Sequence, residues 1–340
     1  MVDVTVVGAG PIGCLTASYL APHCKVHLID SKSEPDKNIV CSGIVSKEAV
    51  ELLGCKSCII RKIESVQLAL PESQQTIDIS DAIQEVYIID RPTLNKKLLQ
   101  DAINKGVTLT IEKCEKIEKD SHYILACGHV GASLILNYPL NSSLIGIQKE
   151  YYLPKTTKDV TMFLNAKKFK GGFAWVVRTA EHTDLVGLLH PLHSRTFNFE
   201  DFTMELFERN FIGFPTGMKK SKTVPGKWPR KPYGSNYILV GEAAGQVKPT
   251  TGGGLYFGAL CAKHAATAML SKLNGNNKAF ATYQKACEKA IGPDIIAGEY
   301  LTTAYRMLDE NSILFYFGLF NKLGLISFDH HSTQLFRSIK

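Results

Sequence analysis

Residues 4–30 constrain the fold more than any other stretch of the chain. Val4 to Val7 is short and apolar, Gly8-Ala9-Gly10-Pro11-Ile12-Gly13 follows, Cys14 to Leu20 is helix-like, and Lys25 to Asp30 makes a second strand. Strand, glycine turn, helix and strand in that order open a parallel α/β sheet. Gly8, Gly10 and Gly13, with Pro11 between them, satisfy G-x-G-x-x-G in the context that gives the pattern meaning. The first glycine allows the tight turn, the second lets a pyrophosphate approach the backbone, and the third lets helix and strand pack closely. The diphosphate then lies at the helix N-terminus. Asp30 ends the second strand seventeen residues beyond Gly13, where a carboxylate accepts hydrogen bonds from an adenosine ribose. Such an acid suits NAD or FAD and repels the 2′-phosphate of NADP. Dinucleotide binding is the expected use.

A second cluster spans residues 237–260. An apolar strand, Tyr237 to Val240, runs into Gly241-Glu242, and then Pro249 and Gly252, Gly253 and Gly254 open a helix from about Leu255 to Leu273. A helix start built of small residues offers free backbone N–H groups and a positive dipole end, which suit a phosphate or a negatively charged ring. Between the clusters, Ile63 to Ile79 alternates apolar and polar residues as antiparallel strands do. Leu94, Leu98, Leu99, Ala102 and Ile103 give Arg91 to Lys105 a helical spacing, and Val107 to Ile111 and His122 to Ala126 return to strand. From about Leu140 to Pro232, strand candidates (Val160 to Leu164, Phe173 to Val177, Asp184 to Leu189) alternate with glycine-, proline- and lysine-rich turns, and residues 278–340 look helical. α/β signals at both ends of an antiparallel middle imply one discontinuous domain with a second inserted. The expected boundaries are 1–136 and 235–275 for the dinucleotide-binding domain, 137–234 for the inserted domain and 276–340 for a C-terminal helical region.

Composition narrows the alternatives. The longest apolar run, Ile313 to Phe320, has eight residues, against ~20 for a membrane-spanning helix. No basic stretch and apolar core mark a signal peptide at the start, so a cytoplasmic protein is expected. The nine cysteines are an odd number and scattered, which argues against a disulfide framework. Cys55-Lys56-Ser57-Cys58 has no second pair to complete four ligands. His182, His190 and His193, and His330-His331, lack a carboxylate at helical spacing, so no metal is expected. The absence of Gly-x-Ser-x-Gly argues against serine hydrolysis. The net charge of +7 fits an anionic substrate or a phospholipid surface. Nucleic-acid binding has no recognition motif behind it. Two basic clusters, Lys167, Lys168 and Lys170, then Lys219, Lys220, Lys222, Lys227, Arg230 and Lys231, are candidates for drawing the chain to an anionic membrane.

The glycine turn, the acid and the late strand running into Gly-Glu-Ala-Ala-Gly together resemble FAD-binding oxidoreductases of the aromatic-hydroxylase type. More narrowly, residues 241–254 resemble the geranylgeranyl reductase family, flavoproteins that saturate isoprenoid double bonds, and its archaeal members acting on digeranylgeranylglycerophospholipids most of all. Val40-Cys41-Ser42-Gly43-Ile44-Val45-Ser46 is similar to the cysteine–glycine segment placed beside the flavin. Tyr87 to Ala102, with Arg91, is similar to the family's arginine-led helix. Gly171 to Val177, with Phe173 and Trp175, is similar to the aromatic segment lining its lipid cavity.

The resemblance implies an α/β fold: a Rossmann-like FAD-binding domain with an inserted antiparallel β-sheet substrate domain and C-terminal helices. It implies that Gly8, Gly10, Pro11, Gly13, Asp30, Cys41, Ser42, Gly43, Arg91, Gly241, Glu242, Gly252, Gly253 and Gly254 hold FAD. It also implies that Phe173, Trp175 and Tyr256 meet an isoprenoid lipid, with Cys41 and Trp175 at the reacting bond. An isolated alkene has no carbonyl to take up charge, so its reduction needs hydride from reduced flavin at one carbon and a proton at the other; Cys41 is the candidate proton donor. With no second glycine fingerprint, electrons are expected from docking NAD(P)H or from a carrier such as ferredoxin, with peripheral contact at the inner face of the membrane. An FAD-dependent monooxygenase on the same scaffold, and a flavin-binding lipid carrier without turnover, are the competing expectations.

Overall fold

The computed structural model describes residues 3–34, 37, 39–83, 85–140, 142–152, 158–169, 171–180, 183–192, 198–226, 231–323 and 329. Lys170, His182, His193, Lys227, Arg230, His330 and His331 therefore lie outside the described residues. The chain opens with β1 (Val4–Val7), α1 (Pro11–Leu20) and β2 (Val26–Asp30). β-Branched residues favour the strands, and Pro11 at the first helical position is pre-set for the helix. There follow β3 (Ile44–Ser46), α2 (Lys47–Leu53), β4 (Ile59–Lys62), β5 (Val66–Ala69), β6 (Thr76–Asp78), β7 (Val86–Ile89), α3 (Arg91–Asn104), β8 (Thr108–Ile111), β9 (His122–Leu125) and α4 (Gly128–Leu136). The middle supplies β10 (Ser142–Tyr152), β11 (Val160–Phe163), β12 (Phe173–Ala180), β13 (Thr183–Pro191), α5 (Phe199–Glu208) and β14 (Lys220–Pro225). β15 (Tyr237–Leu239), α6 (Leu255–Leu273), α7 (Ala279–Tyr305) and α8 (Glu310–Lys322) complete the order.

These elements form three sheets. The first is parallel, in the order β15-β9-β1-β2-β8. Val4, Val6, Leu28, Ile124 and Ile238 face α1, α3, α6 and α7 in the largest core cluster. Val7, Tyr123, Leu125, Tyr237 and Leu239 turn to the other face, where Ala132 of α4 packs. A strand covered on both faces reads as a continuous apolar run, as β15 does, and as β1 does but for Thr5. The second sheet has seven strands in the order β14-β10-β13-β12-β11-β5-β6. The third is a small antiparallel sheet, β3-β7-β4.

The α/β class with a Rossmann-like parallel sheet, a largely antiparallel second sheet and C-terminal helices is the observed fold. Two details differ from the sequence reading. The large sheet is mixed, because β5 runs parallel to β11. It takes in β5 and β6 from residues 66–78 as well as the strands of residues 142–225. The middle region also holds a helix, α5, whose Asn198 side chain caps it and whose Phe199, Phe202 and Leu206 are buried.

Candidate functional site

The glycine turn after β1 is required by packing at two of its three positions. A Cβ on Gly13 would stand 1.8 Å from the Gly8 carbonyl oxygen, and one on Gly8, whose φ is +107°, would stand 2.7 Å from Ala126 backbone atoms. Gly10 is different: nothing lies within 4 Å of its Cβ position, so the backbone there is open. α1 starts at Gly10 with no side-chain cap, leaving its first N–H groups for another acceptor. Asp30 is brought to this turn, its Oδ2 accepting the Ala9 N–H at 2.6 Å and its Oδ1 the Lys32 N–H at 2.8 Å.

The turn after β15 abuts the first. Gly241, at φ +67°, has its Cβ position 3.2 Å from Ile12 of α1. Buried Gln246 fixes this turn by accepting the Gly241 N–H at 2.7 Å and donating to the Tyr283 hydroxyl at 2.9 Å, which donates in turn to the Leu239 carbonyl at 2.7 Å. Glu242 points across to the large sheet, where Lys222 of β14 holds its carboxylate at 2.6 Å. His129 of α4 lies nearby; burial lowers its pKa against the pull of Glu242, which keeps the ring neutral near pH 7. Further on, Gly252, at φ +70°, donates its N–H to the Lys248 carbonyl at 2.8 Å, and Lys248 donates its own to the Gly253 carbonyl at 2.9 Å. α6 begins at Gly254, again without a side-chain cap.

The small sheet gathers the third group. Gly43 has φ +76°, and a Cβ there would stand 2.7 Å from the Ile89 carbonyl oxygen. Ile89 donates its N–H to the Gly43 carbonyl at 2.9 Å. Arg91 begins α3 two residues later, so pairing between β3 and β7 brings Cys41-Ser42-Gly43 and Arg91 to one end of this sheet. Half-buried Cys41 accepts the Gly43 N–H on its Sγ at 3.4 Å. Arg91 donates from Nη2 to Asn95 Oδ1 at 3.3 Å, while its buried Nε has no hydrogen-bond partner among the described residues. Two uncapped helix starts, an open approach at Gly10 and an unpartnered buried guanidinium nitrogen fit a dinucleotide.

One face of the seven-stranded sheet faces these turns. Directly opposed residues share a face, which places Phe173, Leu189 and Lys222 on one side with Trp175, Gly187 and Gln148. Gly252 meets this face at Val224 and Leu189, its Cβ position 3.3 and 3.7 Å from them. Gln148, buried, donates to the Ile39 carbonyl at 3.3 Å, two residues before Cys41. The Trp175 indole lies over Gly187, with Phe173 beside it at a 5.4 Å ring separation. Beyond them Tyr305 and the α8 residues Ile313, Leu314 and Phe317 close the same cluster. A single face thus runs from the Gly252 turn through Leu189 to the aromatic pair and α8. Tyr256 does not join Phe173 and Trp175; it packs with the α/β core. Burial first, then Asp329, Glu48 and Asp294, push its hydroxyl up to about 12.

Three of the six described residues of the basic clusters pair with acids: Lys168 with Glu205 at 2.6 Å, Lys219 with Glu200, and Lys222 with Glu242. The nine cysteines are unbonded, and Cys55 and Cys58 are buried thiols. Gln148, Lys222, Lys248 and Asp329 were not singled out as site residues by the sequence. For Lys248, its place five residues before Gly253 was a usable signal; for the others, only pairing across elements reveals the position.

No family model matches the chain. An uncharacterized protein of Methanocaldococcus jannaschii is 25% identical over 341 residues, covering 92% of this chain and 86% of that protein. Digeranylgeranylglycerophospholipid reductase 1 of Methanothermobacter thermautotrophicus is 25% identical over 353 residues, covering 89% and 87%. This chain is similar to the archaeal digeranylgeranylglycerophospholipid reductases. In fold it matches a geranylgeranyl bacteriochlorophyll reductase-like protein of Thermoplasma acidophilum at a TM-score of 0.80 and 19% identity, over 99% of this chain and 95% of that one. The flavin-dependent brominase Bmp2 matches at 0.74 and 16% identity, over 94% and 90%. Among the described residues, no helix is long and apolar enough to cross a membrane.

Proposed function

We propose that this chain is an FAD-dependent reductase that saturates the C=C bonds of geranylgeranyl chains in archaeal-type glycerophospholipids or their precursors. The observation that carries the reading is the continuous face from the Gly252 turn to Phe173 and Trp175, in a chain similar to digeranylgeranylglycerophospholipid reductases over most of its length. The turns at Gly8–Gly13 and Asp30 would hold the ADP half of FAD. Arg91 and Glu242 would hold its middle, and Gly252, Gly253 and Gly254 its ring end. Bound and reduced, FAD supplies the hydride that an unactivated alkene needs. Phe173 and Trp175 present an apolar wall that orients an isoprenoid chain and excludes water. Cys41 Sγ, fixed by the Gly43 N–H, is the proposed proton source, and NAD(P)H or a ferredoxin the proposed donor of electrons. Exposed Phe315, Tyr316 and Leu319 on α8, and Leu323 just past its end, support a peripheral membrane contact.

The test is anaerobic. The protein, reconstituted with FAD and chemically reduced, is mixed with a geranylgeranyl ether phospholipid while flavin absorbance and lipid mass are followed. Reoxidation with two hydrogens gained per saturated bond is the expected result, and Cys41→Ala is expected to lose that step while its flavin still reduces normally. A reduced flavin that ignores lipid but reacts productively with oxygen moves the assignment to a monooxygenase. Lipid binding without any reoxidation moves it to a carrier.

A further inference from the structure

An ion pair that the parallel sheet does not supply lies against the turn that opens α6. Lys248 closes the turn through its own backbone, and its side chain folds back against Gly253, with Cε 3.1 Å and Nζ 3.8 Å from that glycine's Cβ position. Its Nζ lies 2.7 Å from Oδ1 of Asp329, and the two side chains are only 6% and 3% exposed. Asp329 comes from beyond α8, 81 residues further along the chain. Its second oxygen is buried without a hydrogen-bond partner among the described residues. Asp294 of α7 and Glu48 of α2 are the other acids that act, with Asp329, on neighbouring Tyr256.

A buried ion pair with an unsatisfied oxygen is a poor device for stability alone, since apolar replacements of such pairs are often neutral or stabilising. Its position gives it another use. The ammonium lies against a turn that combines a left-handed glycine, an uncapped helix start and contact with the large sheet. We propose that the buried Lys248–Asp329 pair is a clamp that fixes the Gly252–Gly254 turn and sets the charge beside it, making both residues positioning residues for the cofactor. The clamp rests on the FAD reading for what the turn holds, but not for the holding itself.

The two functions have separable signatures. Loss of the Asp329 charge removes a negative charge beside the turn, which favours the more negative, reduced flavin. Loss of Lys248 removes a positive charge beside the turn, which disfavours it wherever the Asp329 carboxyl stays ionised. A structural role alone would not give shifts of opposite sign.

The experiment compares the full chain with Asp329→Asn, Lys248→Met and the double variant. Without added flavin, hydrogen exchange at the Gly252 N–H is expected to quicken at least tenfold in both single variants. With FAD, the ratio of reduced-to-oxidised flavin affinity is expected to rise about tenfold in Asp329→Asn and fall about tenfold in Lys248→Met, roughly 30 mV each for two electrons. The double variant should return near the wild-type potential. Unchanged exchange, or potential shifts of the same sign, overturns the clamp while the FAD reading stands. A wild-type protein that takes up no flavin overturns the FAD reading and the electrostatic half of the proposal, and exchange still decides the clamp. If Asp329→Asn does not melt cooperatively, Lys248→Arg and Asp329→Glu, which keep both charges but move them, replace it. Faster exchange at Gly252 in both is then required, and unchanged exchange overturns the clamp.

Discussion

Asp184 shows how far a single residue can depart from its ordinary chemistry in this chain. It is fully buried on β13, in register with Arg178 of β12, and neither carboxylate oxygen has a hydrogen-bond partner among the described residues. Burial pushes its carboxyl up to about 7, against the opposing pull of Arg178. The folded pKa therefore stands above the unfolded one. Between pH ~4 and ~7 the unfolded chain releases this proton and the folded chain keeps it, so folding loses stability as pH rises through that window. Above pH ~7 the loss is complete. Asp184→Asn removes it, and urea unfolding should show the variant gaining on the wild type from pH 4.5 to pH 8 by ~2–4 kcal/mol, at about 1.4 kcal/mol per pKa unit. Stability curves that stay parallel across this range would show that Asp184 ionises normally in the fold.

At the scale of the element, the β1–α1 unit separates what glycine does for packing from what it does for a ligand. Gly13→Ala drives a methyl group into the Gly8 carbonyl oxygen and should cost ~1–3 kcal/mol or more of stability, as overpacking does. Gly10 has an extended φ of −69° that any residue adopts, and open space at its Cβ. Gly10→Ala should melt within a degree or two of the wild type yet bind FAD at least tenfold more weakly by titration. Equal binding would mean that no ligand approaches there. This unit was legible because its signals are local: the apolar strand, the spacing of three glycines and the acid closing β2 lie within thirty residues. The helix α3 and the start of α6 were legible on the same grounds. Helix α5 was not, although Asn198 and the spacing of Phe199, Phe202 and Leu206 spell a capped amphipathic helix. The strand-rich surroundings dominated that stretch, and the long strand β10 was obscured by its polar residues.

At the scale of the whole molecule, what the sequence withheld is non-local pairing. Nothing in residues 66–69 announces a parallel partner at residues 160–163. Nothing near Lys222 announces Glu242, nor near Gln148 the Ile39 carbonyl. These contacts bring one sheet face against the turns of another, and they turn two separately readable motifs into one site. Gly187 tests that arrangement. It lies under Trp175, and a Cβ there would stand 2.1 Å from the indole ring, so Gly187→Ala must displace Trp175 while leaving every proposed FAD contact in place. FAD affinity and the rate of flavin reduction by dithionite should stay within twofold of the wild type. Reoxidation by a geranylgeranyl phospholipid should fall at least tenfold, mainly through a raised lipid KM, because the proposed lipid wall has moved. If FAD binding falls as well, the two halves of the site are coupled through this sheet. If lipid kinetics do not change, Trp175 is not part of the lipid wall, and the substrate must lie elsewhere on the face between Leu189 and α8.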